Sequence, residues 1–380
     1  MKKSAKTIIA FILLATLCAT SLLLLSGCGV FCVLIISSER AVVDGVHYSL
    51  NTRNDEATVL YFDADKSLAK GELQICTIPE KITHWGTEYT VTAIESDYVD
   101  NVNIINGNTS IGELIIPKTV SFVYLYDYVD IDSLQKITVD EDNPYFYSKD
   151  GVLFNRYSFG LTLRYYPVGK TDTTFELPSQ FGEEGLEYWS YIWRNEYLQN
   201  LEIEEGNTLY TSINGVLYSH DGKTLMLYSV NKTDETFVAP KGMKNISLNS
   251  GLWNNANIKK VQVEDGSSYL KAENNVLYSL DGSELVFRPN DGSKAFAIPS
   301  SVKVVSYNAL QGLEYLYVPE SVVVFLDTFV GLDYFNLSNI NHIYFESDVL
   351  PKYLRGVFFF DEQLHFGVAR ESFDLLVDIM

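Results

Sequence analysis

Gly215-Val216-Leu217-Tyr218-Ser219-His220-Asp221-Gly222-Lys223-Thr224-Leu225-Met226-Leu227-Tyr228 decides the fold, because sixty residues later it recurs as Asn275-Val276-Leu277-Tyr278-Ser279-Leu280-Asp281-Gly282-Ser283-Glu284-Leu285-Val286-Phe287. An earlier copy runs through Asp150-Gly151-Val152-Leu153-Phe154 and Arg164-Tyr165-Tyr166-Pro167, so Leu153, Leu217 and Leu277 lie 64 and 60 residues apart. The flanks repeat too. Lys170-Thr171-Asp172-Thr173-Thr174-Phe175 matches Lys232-Thr233-Asp234-Glu235-Thr236-Phe237 and, shortened, Lys294-Ala295-Phe296. Leu177-Pro178, Ala239-Pro240 and Ile298-Pro299 follow in turn. A unit of this size cannot bury its apolar face alone, so stacked neighbours share one core and the chain is a mainly β solenoid.

Within a unit, two aliphatic and aromatic runs flank Asp221-Gly222 or Asp281-Gly282. Asp-Gly supplies the positive φ angles of a tight primed turn, so each segment is read as a β-hairpin with its turn at that dipeptide. The first copy has Arg156-Tyr157-Ser158-Phe159-Gly160 instead, which predicts a longer turn. Between hairpins, short strands end in an apolar-Pro step such as Leu114-Ile115-Ile116-Pro117 and Tyr315-Leu316-Tyr317-Val318-Pro319. Proline ends the strand there by removing a donor.

These strand ends, the Asn308-Ala309-Leu310-Gln311-Gly312-Leu313 stretch and the interposed hairpin resemble BspA-like leucine-rich-repeat proteins of bacterial surfaces. Asp44-Gly45-Val46-His47-Tyr48-Ser49-Leu50 and Thr87-Glu88-Tyr89-Thr90-Val91-Thr92-Ala93-Ile94 are similar to that family's opening segment. The resemblance spans roughly residues 44 to 345 and implies a right-handed leucine-rich-repeat solenoid with interposed hairpins and few short helices. Its repeats are blurred at 96–107 and 183–200. For function it implies a scaffold for binding, since one fold hosts many roles.

Residues 7–38 carry no charge and follow Lys2, Lys3 and Lys6, the layout of an export segment with its positive end retained inside. Leu25-Ser26-Gly27-Cys28 resembles the bacterial lipobox, which implies lipidation of Cys28 after removal of a signal peptide, residues 1–27. The alternative is an uncleaved single-pass anchor, because the apolar run continues to Ile36 and a span takes about 20 such residues. Either reading places the rest of the chain at the outer face of the cytoplasmic membrane. The expected organisation beyond the signal is a tether over 28–43, an N-terminal cap with the first strands over 44–115, repeat units over 116–345 and a C-terminal cap over 346–380. That cap is expected to include a short amphipathic helix with Phe373, Leu376 and Val377 on its apolar face.

Lysine and arginine total 28 against 49 acids, a net charge of −21 that becomes −24 when the three signal lysines are lost. Such a surface repels nucleic acid, so no nucleic-acid partner is expected. Asp140-Glu141-Asp142-Asn143 invites comparison with a calcium loop, but Pro144 and Tyr145 follow where a further ligand and a glycine are needed. The turn recurs as Glu204-Glu205-Gly206-Asn207 and Glu264-Asp265-Gly266-Ser267, which points to architecture. No metal, cofactor or catalytic residue is assigned. Cys32 and Cys76 are either bridged or, for Cys76, a small apolar strand residue; they do not make a disulfide framework. The five histidines are scattered, with His220 expected in solvent beside its turn.

Aromatic residues are abundant, with 26 Tyr and 21 Phe. Phe122, Tyr124, Tyr126 and Tyr128 share one side of a strand by their period of two, a stripe read as core packing or a cross-strand ladder. Trp189, Tyr191, Trp193 and Tyr197 form the densest cluster, read as core or as a recognition surface. The expected function is non-catalytic binding of an extracellular protein or glycan at the cell surface, with a structural scaffold of the envelope as the alternative and an extracellular hydrolase behind both.

Overall fold

In a computed structural model the described residues are 39–63, 65–69, 71–95, 110–124, 132–186, 192, 195–247, 250–306, 309–325, 340–348, 350 and 364–379. Arg40–Met380 forms one compact unit. Cys28, Cys32, Trp189, Tyr191 and Trp193 lie outside the described residues, so the lipidation reading and most of the aromatic cluster do too. Tyr126 and Tyr128 lie outside as well.

The described unit is a β-solenoid. Its first ladder consists of strands paired in parallel between one turn and the next. Gln74–Thr77, Ile111–Ile116 and Lys136–Val139 make one sheet, and Thr174–Leu177 pairs with Asn200–Ile203 as Thr236–Ala239 pairs with Lys260–Val263. Ala295–Ala297, Tyr315–Val318, His342–Phe345 and Leu364–His365 make the last sheet. The second ladder pairs Gly160–Tyr165 with Phe181–Leu186, Thr224–Leu227 with Asn245–Ile246, and Glu284–Phe287 with Val304–Val305 and then Val324–Phe325. Each sixty-residue unit is therefore two turns of chain. One turn carries an antiparallel three-strand meander, such as Tyr210–Ile213, Val216–Ser219 and Thr224–Leu227.

The apolar-Pro steps sit where the sequence places them, with Leu177, Ala239 and Val318 closing their strands. The core crosses the repeat boundaries. Phe154, Leu163 and Phe175 of the first copy pack in one cluster with Leu201, Leu217 and Leu227 of the second. Tyr218 and Leu225 of the second join Leu270, Leu277 and Phe287 of the third. Cys76 belongs to this interior as a free thiol on a buried strand position, and burial raises its pKa to about 12.

Turn chemistry corrects two expectations. At Asp221-Gly222 and Asp281-Gly282 only the glycine has positive φ, so these hairpins do not close through a tight primed turn. The Asp221 carboxylate instead accepts from the backbone N–H of Lys223, and Ser219 Oγ accepts from Thr224 N; Asp281 and Ser279 do the same for Ser283 and Glu284. The primed turns lie one strand earlier, at Asn214-Gly215 and Asn274-Asn275, where both residues have positive φ. Asp44-Gly45, Trp85-Gly86 and Asp150-Gly151 are of the same kind. The first copy's turn is short: Tyr157 pairs with Gly160 across Ser158-Phe159, because both strands run two residues further.

The first strand, Glu39–Val43, starts inside the segment read as a tether, and Leu364–His365 extends the parallel ladder into the segment read as the cap. The expected helix is Arg370–Ile379. Phe373 is its buried anchor, whereas Leu376 stays 42 % exposed because docking is made through one ring.

Candidate functional site

Most polar residues that repeat are used to stitch one turn to the next. Asn143 Nδ2 donates to the carbonyls of Pro117 and Val120, and its Oδ1 accepts from the backbone of Tyr145 and Phe146. Asn195, Asn207 and Asn255 repeat this bridge, and Asn195 reaches three carbonyls, those of Pro167, Val168 and Lys170. A buried amide that satisfies both strands' backbone groups removes a desolvation cost that no apolar residue can remove. The turn compared with a calcium loop is thus an asparagine bridge.

The acids at strand ends have a similar use. Glu204, Glu264 and Glu346 accept from the backbone N–H of Ser179, Lys241 and Glu320, each of which follows a strand-ending proline. Lys149 bridges Glu176 at 3.1 Å and Glu204 at 2.6 Å. Lys149 and the Ser179 amide together hold the Glu204 carboxyl below its ordinary pKa. A polar hollow of about 580 Å³ lined by Lys136, Asp150, Lys170, Asp172 and Glu176 follows the same logic. Its buried Lys170 donates to the Asp150 carbonyl and pairs with Asp172, as Lys232 does with Asn200 and Asp234. Among the described residues, no group of three or more His, Cys, Asp or Glu is placed to hold a metal ion.

The last parallel sheet is different. In-register pairing sets Tyr315 beside His342 and aligns Tyr317, Tyr344 and His365, all on the face opposite the buried Leu316 and Ile343. Tyr315 and His342 stack at 5.3 Å, and Tyr344 and His365 stack at 4.6 Å with their planes 17° apart. His342 Nδ1 lies 3.1 Å from His365 Nε2, so one ring must donate to the other. Burial and then the neighbouring His342 lower the His365 pKa, and burial raises that of Tyr344. The helix covers one side of this face, with Phe373 against Tyr317 and Tyr344 and the Arg370 guanidinium over the Tyr317 ring. Tyr315, His342 and His365 remain half-exposed.

Of the residues singled out from sequence, the described ones are not assembled with this face. Tyr197, the described member of the Trp189 cluster, is 45 % exposed, with its backbone N–H on Asn195 Oδ1. Phe122 and Tyr124 do share one side of their strand, stacked at 6.1 Å, but it is the side opposite the buried Val123 and so not core. His220 is exposed as expected. The His342–His365 contact escaped the sequence because the two residues are 23 apart and touch only through strand register. A signal was present in the alternation His342-Ile343-Tyr344-Phe345, which puts His and Tyr together on one face.

No protein-family model and no curated protein matches the sequence. Several solved structures are similar to it. A leucine-rich cell surface protein of Faecalibacterium prausnitzii is 17 % identical, with 76 % of this chain and 72 % of that one covered and a TM-score of 0.34. A pneumococcal vaccine antigen, PcpA, is 14 % identical over 88 % and 89 % of the two chains, TM-score 0.30. A leucine-rich-repeat protein of Bacteroides ovatus is 12 % identical over 87 % and 80 %, TM-score 0.29. At these values what this chain does rests on its own residues. Among the described residues, no helix is long and apolar enough to cross a membrane.

Proposed function

We propose that this chain is a non-catalytic binding protein displayed outside the cytoplasmic membrane, held there by lipid on Cys28 or by its N-terminal apolar run. It recognises an extracellular protein or glycan through the outward face of its last parallel sheet. The observation that carries this reading is the half-buried ladder of Tyr315, His342, Tyr344 and His365. Many polar side chains of the earlier repeats are committed to neighbouring turns, whereas here Tyr315, His342 and His365 line a partly open surface beside the part that Phe373 covers. The ring faces lie against one another, so a partner meets ring edges, phenol oxygens and imidazole nitrogens, which recognise by hydrogen bonds more than by stacking.

The test is capture from a panel of extracellular proteins and glycans by the immobilised chain and by its Tyr315→Ala/His342→Ala variant. Capture by the wild type that the double variant loses while keeping its melting temperature supports the reading. Capture that the variant retains removes this face from the function, and capture of the producer's own envelope proteins alone makes the chain a scaffold.

A further inference from the structure

We infer that Trp85 is an interfacial anchor that holds the N-terminal module against a lipid bilayer of neutral headgroups. Among the described residues, five two-residue connections have positive φ at both positions, and four begin with Asp44, Asp150, Asn214 or Asn274. Asp and Asn tolerate the left-handed region because their short side chains bond locally; a bulky indole does not. Trp85 occupies that position with φ 49°, between the paired strands Lys81–His84 and Thr87–Glu95. A residue that breaks the local rule with no gain to the fold is a sign of selection for something else.

Trp85 gains nothing from the core. It is 87 % exposed, among the described residues its ring stacks on His84 alone, at 4.6 Å, and a Cβ at Gly86 beside it would meet nothing within 4 Å. The tip therefore stands clear with its indole in the open. Indole combines an apolar body with one N–H donor and concentrates at the headgroup layer for that reason.

Charge permits the approach. In a chain of net charge −21, the hairpin's Lys81 pairs with Glu88 at 2.6 Å, and Lys118 pairs with Glu80 beside it at 3.4 Å. The tip thus carries no excess negative charge toward the lipid. The hairpin lies in the sheet that Glu39–Val43 begins, at the edge opposite that strand, and only Ser37 and Ser38 separate Glu39–Val43 from the apolar run ending at Ile36. A single indole binds bilayers weakly, but a module tethered this closely meets the surface at high effective concentration. The inference rests on the membrane attachment proposed above.

The experiment uses the full chain reconstituted in phosphatidylcholine vesicles with brominated acyl chains, comparing wild type with Trp85→Asn. Asparagine suits the left-handed position, so the variant is expected to melt at the same temperature or higher. The expected result is a blue-shifted, bromine-quenched fluorescence component present in wild type and absent from the variant. A chain that does not float with the vesicles overturns the attachment and this contact with it. A chain that floats, but whose Trp85 component is unquenched and red-shifted, overturns this contact alone.

Discussion

The outward face of the parallel ladder changes character along the solenoid while its backbone does not. On Thr174–Leu177, Asn200–Ile203, Thr236–Ala239 and Lys260–Val263 that face presents Thr174, Glu176, Asn200, Glu202, Thr236, Val238, Lys260 and Gln262. On the last sheet it presents Ala295, Tyr315, His342, Tyr344 and His365. In both places the inward residues are the same kind, Phe175 and Leu201 or Leu316 and Ile343. Parallel pairing between turns stacks equal positions on one another, so a change of residue type on one row becomes a continuous ladder. Inward rows are held constant by the shared core; outward rows are free to become a surface with its own chemistry.

The comparison breaks most severely at the bridges of the earlier region. Asn195→Ala removes three donated and two accepted hydrogen bonds at a fully buried site, and should cost about 4 kcal/mol. Urea denaturation should show the midpoint fall, and a loss below ~1 kcal/mol would mean the carbonyls find other partners. Next comes the end of the last sheet, where Phe373→Ala removes the helix's buried ring from Tyr317 and Tyr344 and should cost about 3 kcal/mol, confined to that end. Hydrogen exchange should quicken in Arg370–Ile379 and leave Asn200–Ile203 protected.

The histidine pair sharpens the contrast through pH. The His365 pKa is lower in the fold than its ordinary 6.5, so the unfolded chain binds the extra proton more readily. Its contribution to stability is complete above that value and is lost as pH falls through the folded pKa. The melting temperature should therefore drop between pH 7 and pH 5, and His365→Phe should flatten the drop. Smallest is the effect of the exposed turn carboxylates Asp221 and Asp281, each held at about 2 by bonds from its neighbours, foremost Lys223 for the first and Ser279 for the second. Stability from them is present above their ordinary value of 3.8 and fades as pH falls toward 2, so Asp221→Asn/Asp281→Asn should lessen the acid sensitivity in that range.

The repeat, its strand-ending prolines and its hairpins were readable because each is a local pattern written three times. The hairpin turn was misplaced for a physical reason. Asp-Gly serves a primed turn and a glycine-closed turn with an aspartate cap equally well, and the choice depends on strand register. Asn214-Gly215 carries the same signal one strand earlier, and only pairing of Ile213 with Val216 shows that it closes a hairpin. The candidate site was less readable still. Trp189 and its neighbours stand close in sequence, whereas Tyr315, His342 and His365 come from three turns.

By itself the sequence determined that sixty-residue units stack around a shared core, since no unit can bury Leu153, Leu217 or Leu277 alone. It determined the acidic exterior and the uncharged segment at the start as well. Tertiary structure alone decided which asparagines bridge which carbonyls and that His342 meets His365. Those facts depend on which residues of successive turns share a register, a relation between distant parts of the chain that local pattern does not encode.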